Sequence, residues 1–297
     1  MREYNNPRNM NILISSDKRY LNKYKTMLFS LKKYNSEFTV YFLNKNLSSW
    51  RMNRFQKYLK KKINCDCIEI KMDEKLFDNL PIHIKRISPE TYSRLFAQFY
   101  LPEEIDRILW LDADVICLKN IEDTYFKDFE GKSIIGTIDT NEEMVKENYQ
   151  HKIGLDLGNT HHYINAGIII LNLSKMRETT DVQHILDTSI QLKDDIKYQD
   201  QDILNVLYKG DMKYVSKYFN YPLFWVSDIE KDEMEKIYFL HYIEAEKPWR
   251  IKGNHPLSYL WWDIEKERGN RVKYYLYSFV KGIYMNIRKV FLKIKSK

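Results

Sequence analysis

The sequence predicts an α/β protein with a largely parallel central sheet, followed by a basic, amphipathic helical tail. Three observations support this fold class. Short apolar or β-branched runs alternate with segments of helical spacing from residue 11 to about residue 255. The apolar run at residues 107–111 leads directly into two aspartates. In residues 268–297 there are nine Lys and Arg but no acidic residue, and apolar residues recur every three or four positions.

The predicted elements alternate in chain order. Buried strands are predicted at residues 11–15 and 107–111, and further strands at 38–43 and 67–72, with later candidates at 133–138, 163–173, 212–215 and 237–240. Helices are predicted at residues 18–34, from Ser48 or Ser49 to Lys62, and from Ser88-Pro89 to about Tyr100, where serine is the cap and proline the first helical residue. Because ligands of such sheets bind outside the carboxyl ends of strands, the aspartates after residue 111 stand where a ligand is expected.

The composition excludes several classes of protein. With 44% hydrophobic and 30% charged residues, the chain is neither disordered nor fibrous. Its longest apolar stretch, 164–173, is too short to cross a bilayer, and the polar N-terminus does not resemble a signal peptide. Three cysteines (Cys65, Cys67 and Cys117) cannot build a disulfide framework, so we expect thiols in a reducing compartment, the cytoplasm.

The segment Asp112-Ala113-Asp114 follows a strand that should be buried. Bare carboxylates are costly to bury unless a cation or hydrogen bonds offset the cost. In an extended segment, residues two apart face the same way, so both carboxylates could bind one hard divalent ion. The alternative is a pair of turn or cap residues that begin a loop, and the motif alone does not decide between them.

Two later segments add side chains of the same chemistry. Asp200-Gln201-Asp202 precedes a helical pattern, so these residues either stabilise the helix N-terminus or set a carboxylate or amide beside an electrophilic carbon. His241 follows an apolar run and is either a hydrogen-bonded loop histidine or a metal ligand. Mixed carboxylate and imidazole donors suit Mn²⁺. Lys247 could meet phosphate as a point charge.

Six segments in order resemble glycosyltransferase family 8, which includes bacterial lipopolysaccharide galactosyl- and glucosyltransferases and glycogenin. The resemblance spans about Met10 to Trp249. The matching segments are Asp17 with Tyr20, residues 88–95, residues 108–114, residues 163–167, residues 200–204, and His241 with Lys247-Pro248-Trp249.

The resemblance implies a single Rossmann-like nucleotide-sugar-binding domain of the GT-A type over residues 1–255, with residues 256–297 as the tail. It also implies a UDP-sugar donor, Mn²⁺ (or Mg²⁺) and retention of the anomeric configuration. By position, the metal ligands would be Asp112, Asp114 and His241. The donor-binding residues would be Asp17, Tyr20, Arg94, Asp112, Ala113, Asn165, Ala166 and Lys247. The catalytic face would hold Gln201 with Asp200 and Asp202, and Asp139 would face the acceptor.

The implied activity is transfer of galactose or glucose from a UDP-sugar to a hydroxyl of a glycan or glycoconjugate. Gln201 is a poor nucleophile, which favours attack from the leaving-group face. Two departures bear on donor contacts: Glu244 stands where the family has glycine, and Arg19 where it often has asparagine. Two rival functions are a metal-dependent nucleotidyltransferase and a membrane-associated UDP-binding protein whose transferase site has decayed.

The basic tail carries the excess charge of the chain. The net charge is +7, and without the nine basic residues of the tail the rest of the chain is at −2. An amphipathic basic helix can lie on an anionic membrane surface, so residues 268–297 predict peripheral attachment at the inner face of the cell membrane. The alternatives are a helix packed on the body and a nucleic-acid-binding segment. Nucleic acid does not require the apolar stripe, so we expect no nucleic-acid partner.

Overall fold

The fold was taken from a computed structural model that describes residues 9–77, 80, 89–223, 228–243, 247–251 and 255–295. For Glu74, Pro89 and residues 285–295 only the backbone is described. Two sequence predictions lie outside this part of the chain, the serine cap at Ser88 and the substitution at Glu244.

In the described residues, ten strands form two sheets. In chain order the strands are β1 (Met10–Ser15), β2 (Phe38–Asn44), β3 (Asp66–Lys71), β4 (Arg107–Leu111), β5 (Val115–Cys117), β6 (Ile134–Gly136), β7 (Ile168–Asn172), β8 (Met212–Tyr214), β9 (Tyr221–Pro222) and β10 (Phe239–His241). The larger sheet has the order β3-β2-β1-β4-β7-β6-β8, and the smaller has the order β5-β10-β9.

Eleven α-helices surround the sheets in the described part of the chain. They are α1 (Leu21–Tyr34), α2 (Ser49–Tyr58), α3 (Ala97–Tyr100), α4 (Glu122–Tyr125), α5 (Glu142–Asn148), α6 (Leu173–Thr179), α7 (Val182–Gln191), α8 (Asp200–Leu207), α9 (Lys231–Met234), α10 (Ser258–Glu267) and α11 (Arg271–Lys295). A π-helical turn (Leu59–Ile63) extends α2. The helix and this turn together correspond to the helix that the sequence predicts up to Lys62.

The larger sheet is mostly parallel, which confirms the predicted fold class. Strands β1, β2, β3 and β4 run parallel to one another, and β6 runs parallel to β8. Only β7 is antiparallel, and it lies between β4 and β6. As a result, the carboxyl ends of β1 and β4 meet the amino end of β7 at one edge of the sheet.

Each face of the larger sheet is covered by its own hydrophobic core. Along β4, Ile108 and Trp110 face one core, and Leu109 and Leu111 face the other, because side chains alternate along a strand. Helix α1 covers the second core with Met27, Leu28 and Leu31. Burying both faces in this way explains the nearly continuous apolar runs in the sequence.

A third core lies under α10. Trp261 on this helix is 2% exposed and contacts Tyr242 edge to face, with ring centroids 6.2 Å apart. Helix α10 therefore packs against the body of the fold, whereas the sequence places residue 256 at the start of the tail. The domain boundary at that residue stays a prediction.

The segment predicted as a helix from Pro89 to Tyr100 has two parts. Residues Pro89–Phe96 form a 3-10 helix, and only α3 is α-helical. A 3-10 helix has three residues per turn, so Thr91 and Arg94 lie one above the other on the same side. Both line the cleft described next, so the tighter winding directs two polar side chains into it.

Candidate active site

The fold brings three distant residues to one point at the edge of the larger sheet. Asp112 directly follows β4, and its N–H donates to the carbonyl of Gly167, 2.8 Å away. Asp114 precedes β5, and its carbonyl accepts from the N–H of Tyr242 at 3.0 Å. His241 ends β10, which pairs antiparallel with β5. These backbone bonds hold both aspartates beside the histidine.

Asp112, Asp114 and His241 form a potential metal cluster. Each offers one ligand atom, and these atoms all lie within 4.8 Å of one another. His241 Nε2 lies 3.5 Å from an Asp114 carboxylate oxygen. The two aspartates lie in a turn between β4 and β5 and not in an extended strand, so the expected alternation does not explain their shared direction. The turn and its backbone bonds do.

Asn220 fixes the orientation of the His241 ring. Nδ1 of His241 lies 3.0 Å from Oδ1 of Asn220, and Nδ2 of Asn220 donates to Oδ1 of Asn165 at 2.9 Å. Because the amide nitrogen of Asn220 is the atom that donates to Asn165, the atom facing His241 is the amide oxygen, which can only accept. The histidine must therefore donate from Nδ1. Nε2 then keeps its lone pair for a metal ion. No motif in the sequence points to Asn220.

Gly167 leaves the space that the cluster needs. A Cβ at this position would lie 2.3 Å from Cε1 of His241 and 3.0 Å from Oδ2 of Asp112. Any larger residue would therefore displace a ligand. The cluster thus offers two carboxylates and an imidazole whose Nε2 is free, and Gly167 leaves room beside them. This set of ligands fits a hard or borderline divalent ion such as Mn²⁺.

Arg94 lies between the cluster and Asp200. Its guanidinium is buried and lies 3.0 Å from an oxygen of Asp112 and 2.9 Å from an oxygen of Asp200. It also stacks over Trp110 at 4.4 Å from the ring centroid and donates to the carbonyl of Ala166. This single cation therefore forms an ion pair with one carboxylate on each side and positions both.

The two aspartates of the cluster have different electrostatic surroundings. Burial raises the pKa of Asp112, and Arg94 only partly offsets that effect. Burial also acts on Asp114, but Lys247 and His241 outweigh it and hold the pKa of Asp114 well below its usual range. Lys247 forms an ion pair with Asp114 and donates to the carbonyl of Tyr242.

A second group of polar side chains stands around Gln201. The Gln201 amide nitrogen donates to Asp139 at 3.1 Å and to the Tyr163 hydroxyl at 3.2 Å. Its carbonyl oxygen accepts from the N–H of Ala166 at 3.0 Å. Asp139 also accepts from Asn165 Nδ2 at 2.8 Å. The amide is therefore held on both sides, and Asp139, the predicted acceptor residue, lies in the same group as Gln201.

Asp202 lies behind this group. One of its carboxylate oxygens accepts from the hydroxyls of Tyr149 (3.0 Å) and Tyr163 (2.5 Å). The other accepts from the backbone N–H groups of Lys197 and Tyr198, both at 2.7 Å. The side chain is fully buried and does not line the cleft. Four donors saturate the carboxylate, which indicates a structural role.

The backbone before α8 is strained. Gln199 has φ of 49° and ψ of −119°, an unusual combination for a residue other than glycine. Its neighbours hold it there, since Asp200 is bound to Arg94 and Asp202 to two tyrosines. Strain of this kind is concentrated at functional sites.

Asp17 and Tyr20, which the resemblance predicts to bind the donor, also line the cleft. Asp17 accepts from the backbone N–H of Arg19 and forms an ion pair with the Arg19 side chain, both at 2.6 Å. Tyr20 contacts Trp249 edge to face with ring centroids 6.1 Å apart. Arg19, the departure from the family pattern, thus neutralises Asp17.

One cleft of about 240 Å³ contains nearly all of these positions. Ala113 and Ala166, predicted from the resemblance, contribute to its wall. The sequence did not indicate Glu90, a buried carboxyl whose pKa is raised by burial. The other predicted residues that line the cleft are Asp17, Tyr20, Arg94, Asp112, Asp114, Asp139, Asn165, Asp200, Gln201, His241 and Lys247.

Comparison with known proteins identifies relatives along most of the chain. A Haemophilus influenzae protein, named for glycosyltransferase activity without a substrate, is 27% identical over 256 residues, which cover 83% of this chain and 74% of that protein. The lipopolysaccharide 1,2-glucosyltransferase of Escherichia coli is 28% identical over 174 residues, 56% of this chain and 50% of that enzyme. The chain spans 60% of the length of glycosyltransferase GlyE from Streptococcus pneumoniae.

Solved structures agree with these relatives. The galactosyltransferase LgtC, solved with donor and acceptor sugar analogues, superposes with a TM-score of 0.75 at 25% identity, over 87% of this chain and 96% of LgtC. The fold is therefore of the GT-A type, as the resemblance implies. The sequence profile of Glycosyl transferase family 8 matches residues 11–253. This match covers most of the chain and confirms the predicted family: the chain belongs to glycosyltransferase family 8 and is a glycosyltransferase.

Proposed function

We propose that the chain transfers galactose or glucose from a UDP-sugar to a hydroxyl of a glycan or glycoconjugate, with Mn²⁺ and with retention of configuration. The observation that carries this proposal is the arrangement of one cleft. One part of the cleft has the cluster that could bind a cation, together with Lys247, and another part has the hydrogen-bonded carboxylate and amide group around Gln201. The named activities of the relatives in lipopolysaccharide synthesis support the choice of hexose.

The metal would be held by Asp112, Asp114 and Nε2 of His241. When bound, the ion supplies positive charge to the diphosphate, so that UDP leaves more easily. Lys247 stands beside Asp114 and would contribute a second positive charge to the same phosphates. Asp17 and Tyr20, which line the same cleft, would bind the uridine.

The surroundings of three residues, Asp202, Asp200 and Gln201, favour attack from the leaving-group face over a covalent intermediate. Asp202 has no free lone pair, since four donors surround it. Asp200 is paired with buried Arg94, which weakens it as a nucleophile. Gln201 is held by Ala166 on its oxygen side, so its amide carbonyl can face positive charge at the sugar carbon without reorganising. The acceptor hydroxyl would approach past Asp139.

The experiment is an assay of UDP release from a panel of UDP-sugars, with and without Mn²⁺. We expect hydrolysis of UDP-galactose or UDP-glucose that EDTA abolishes, with UDP as the nucleotide product. Release of sugar 1-phosphate instead of UDP would indicate nucleotidyl transfer, because that reaction breaks the bond between the two phosphates. Failure of every UDP-sugar to bind, measured by calorimetry with Mn²⁺, would support the decayed-site alternative.

A pair of matched variants tests the metal cluster. Asp114→Asn should remove most of the Mn²⁺-dependent turnover, because it deletes the negative charge shared with the ion. Asp66→Asn removes an exposed carboxylate that pairs with Lys60 far from the cleft, and it should have no effect. Full activity of Asp114→Asn in EDTA would contradict the metal-assisted mechanism.

The exposed side chains of the tail are the evidence for attachment to an anionic membrane. In the described part of α11, one side of the helix leaves four apolar side chains exposed: Val272 (82%), Leu276 (61%), Phe279 (67%) and Ile283 (46%). None of the helices searched, all within the described residues, is both long and apolar enough to cross a bilayer. We therefore propose that α11 lies in the membrane surface on the cytoplasmic side.

A further inference from the structure

Basic residues are segregated into two parts of the chain. Residues 18–65 hold thirteen Lys and Arg against a single acidic residue, Glu37, and residues 268–297 hold nine against none. Since the whole chain is at +7, all the other residues together carry an excess of fourteen negative charges. Positive and negative charges are therefore unevenly distributed along the chain, although its net charge is modest.

The first basic segment presents its charges on the outside of α2 and of the π-helical turn after it. Met52, Phe55 and Leu59 point into the core. Arg51, Arg54, Lys57 and Lys61, at spacings of three and four, are exposed on the opposite side. Among the described residues, this helical segment makes one ion pair, between Lys60 and Asp66.

The fold joins the two basic segments. Lys25 of α1 lies over the ring of Tyr58 at 4.7 Å, and Arg268 donates to the hydroxyl of the same tyrosine at 3.4 Å. The pKa of Lys25 is lowered, first by burial and then by the charges of Arg268, Arg54 and Lys273. Gathering like charges costs stability, so this surface requires an explanation other than folding.

Exposed apolar groups border the basic surface. Trp50 at the start of α2 is 61% exposed, and the guanidinium of Arg54 lies 4.7 Å from its ring centroid. On the tail side, the apolar stripe of α11 begins at Val272, next to Lys273. Tryptophan beside basic residues is typical of the membrane–water interface. A soluble polyanion would need the charges but not these apolar groups.

We propose that α2, Lys25 and the tail form one docking face that binds the catalytic body to a membrane containing anionic lipid, with Trp50 in the interface. The proposal rests on the membrane attachment proposed for α11 and extends it to the body. It has a consequence for the cleft. Lys23 of α1 lies 5.4 Å from the ring of Trp249, which contacts Tyr20 in the cleft wall. Docking at two points would hold the cleft at a fixed orientation to the membrane.

The test compares two fourfold variants of the full chain. The first variant, called the α2 variant, removes the outer charges of α2 and of the turn after it by the substitutions Arg51→Gln, Arg54→Gln, Lys57→Gln and Lys61→Gln. The matched control replaces four exposed lysines elsewhere, Lys152, Lys193, Lys209 and Lys231, by Gln. Binding is measured by sedimentation with vesicles of phosphatidylethanolamine and phosphatidylglycerol, and UDP-sugar hydrolysis in solution is measured in parallel.

We expect the α2 variant to bind the vesicles at least about tenfold more weakly, because each Lys or Arg near an anionic surface contributes substantially to binding. The control should bind within about twofold of the original chain. Hydrolysis should be the same in all three, since none of the eight residues lines the cleft. That parallel assay separates a failure of the docking face from a failure of the proposed transferase activity.

A second measurement does not depend on the multiple variant. Residues 268–297 contain no tryptophan, so quenching of fluorescence by brominated lipid reports on the body and not on the tail. Trp50→Phe should lose the quenched component.

Several results would overturn the proposal. These are equal vesicle binding by the α2 variant and the original chain, no quenching of Trp50, no sedimentation of the original chain, or binding to heparin without binding to vesicles. The first two would leave the tail as the sole attachment, and the last would identify a soluble polyanion as the partner.

Discussion

Replacing Gly167 with alanine tests whether the cluster at Asp112, Asp114 and His241 binds metal. The added methyl group would lie 2.3 Å from Cε1 of His241, whereas ordinary van der Waals contacts begin at 3.4 Å. The imidazole would therefore have to move by roughly 1 Å, several times the tolerance of about 0.2 Å within which metal–ligand distances are held. The ring is 4% exposed and tied to Asn220, so it cannot simply turn away.

We expect Gly167→Ala to weaken Mn²⁺ binding at least about 100-fold, or about 2.7 kcal/mol, because the variant in effect removes one of three protein ligands. Mn²⁺ affinity can be measured directly by electron paramagnetic resonance of the free ion or by calorimetry. Either method works without substrate turnover, so the result does not depend on the identity of the sugar.

Gly282→Ala is the matched control, because a Cβ at Gly282 meets nothing within 4 Å. It should leave Mn²⁺ affinity unchanged and stabilise α11 by up to about 1 kcal/mol. A Gly167→Ala variant that is folded and binds Mn²⁺ as tightly as the control would refute the assignment of His241 as a ligand.

Three other variants or treatments probe separate features. Asn220→Ala should raise the Kd for Mn²⁺ about 10- to 100-fold by freeing the His241 ring, and Asn220→Gln should not restore it, because the longer side chain cannot place its oxygen at Nδ1. Asp202→Asn should lower the free energy of unfolding by about 2–4 kcal/mol in urea titrations, because its NH₂ group would face two of four donors; unchanged stability with lost turnover would instead make Asp202 catalytic. Burial raises the pKa of Cys65 and of Cys117 to about 12, so only about one thiol in ten thousand is ionised at pH 8, and iodoacetamide should modify them only after unfolding.

The first half of the fold could be read from the sequence because its strands are buried on both faces. The predicted strands at residues 11–15, 38–43 and 107–111 differ from β1, β2 and β4 by at most one residue at either end. Continuous apolar runs of this length are hard to place in any other element. The direction of a strand leaves no such pattern, and the antiparallel course of β7 was therefore not foreseen.

The predicted strand at 163–173 shows a second limit. Only Ile168–Asn172 forms β7, because the residues before it turn into the cleft. Tyr163, Asn165 and Ala166 there bond to Asp202, Asp139 and Gln201. An apolar run can be seen in a sequence, but the point at which a strand gives way to a functional loop is set by partners 26 to 39 residues away along the chain.

The acids at the start of α8 show why the site could be only partly predicted. Asp200 and Asp202 have the same chemistry and the same helical context, and both suit an N-terminus. Tertiary contacts alone distinguish them. Arg94 draws Asp200 to the cleft, whereas Tyr149 and Tyr163 surround Asp202 in the core.

Asn220 could not be found at all, because it acts through His241 and has no fixed spacing to it. Its place becomes clear only from a chain of hydrogen bonds that runs from Gln201 through Asp139, Asn165 and Asn220 to His241. Each amide in this chain donates to one neighbour and accepts from another, so no member can turn without breaking a bond at both ends. The metal cluster and the Gln201 group are thus held in one fixed relation before substrate binds, and such preorganised polar groups stabilise developing charge more effectively than mobile ones.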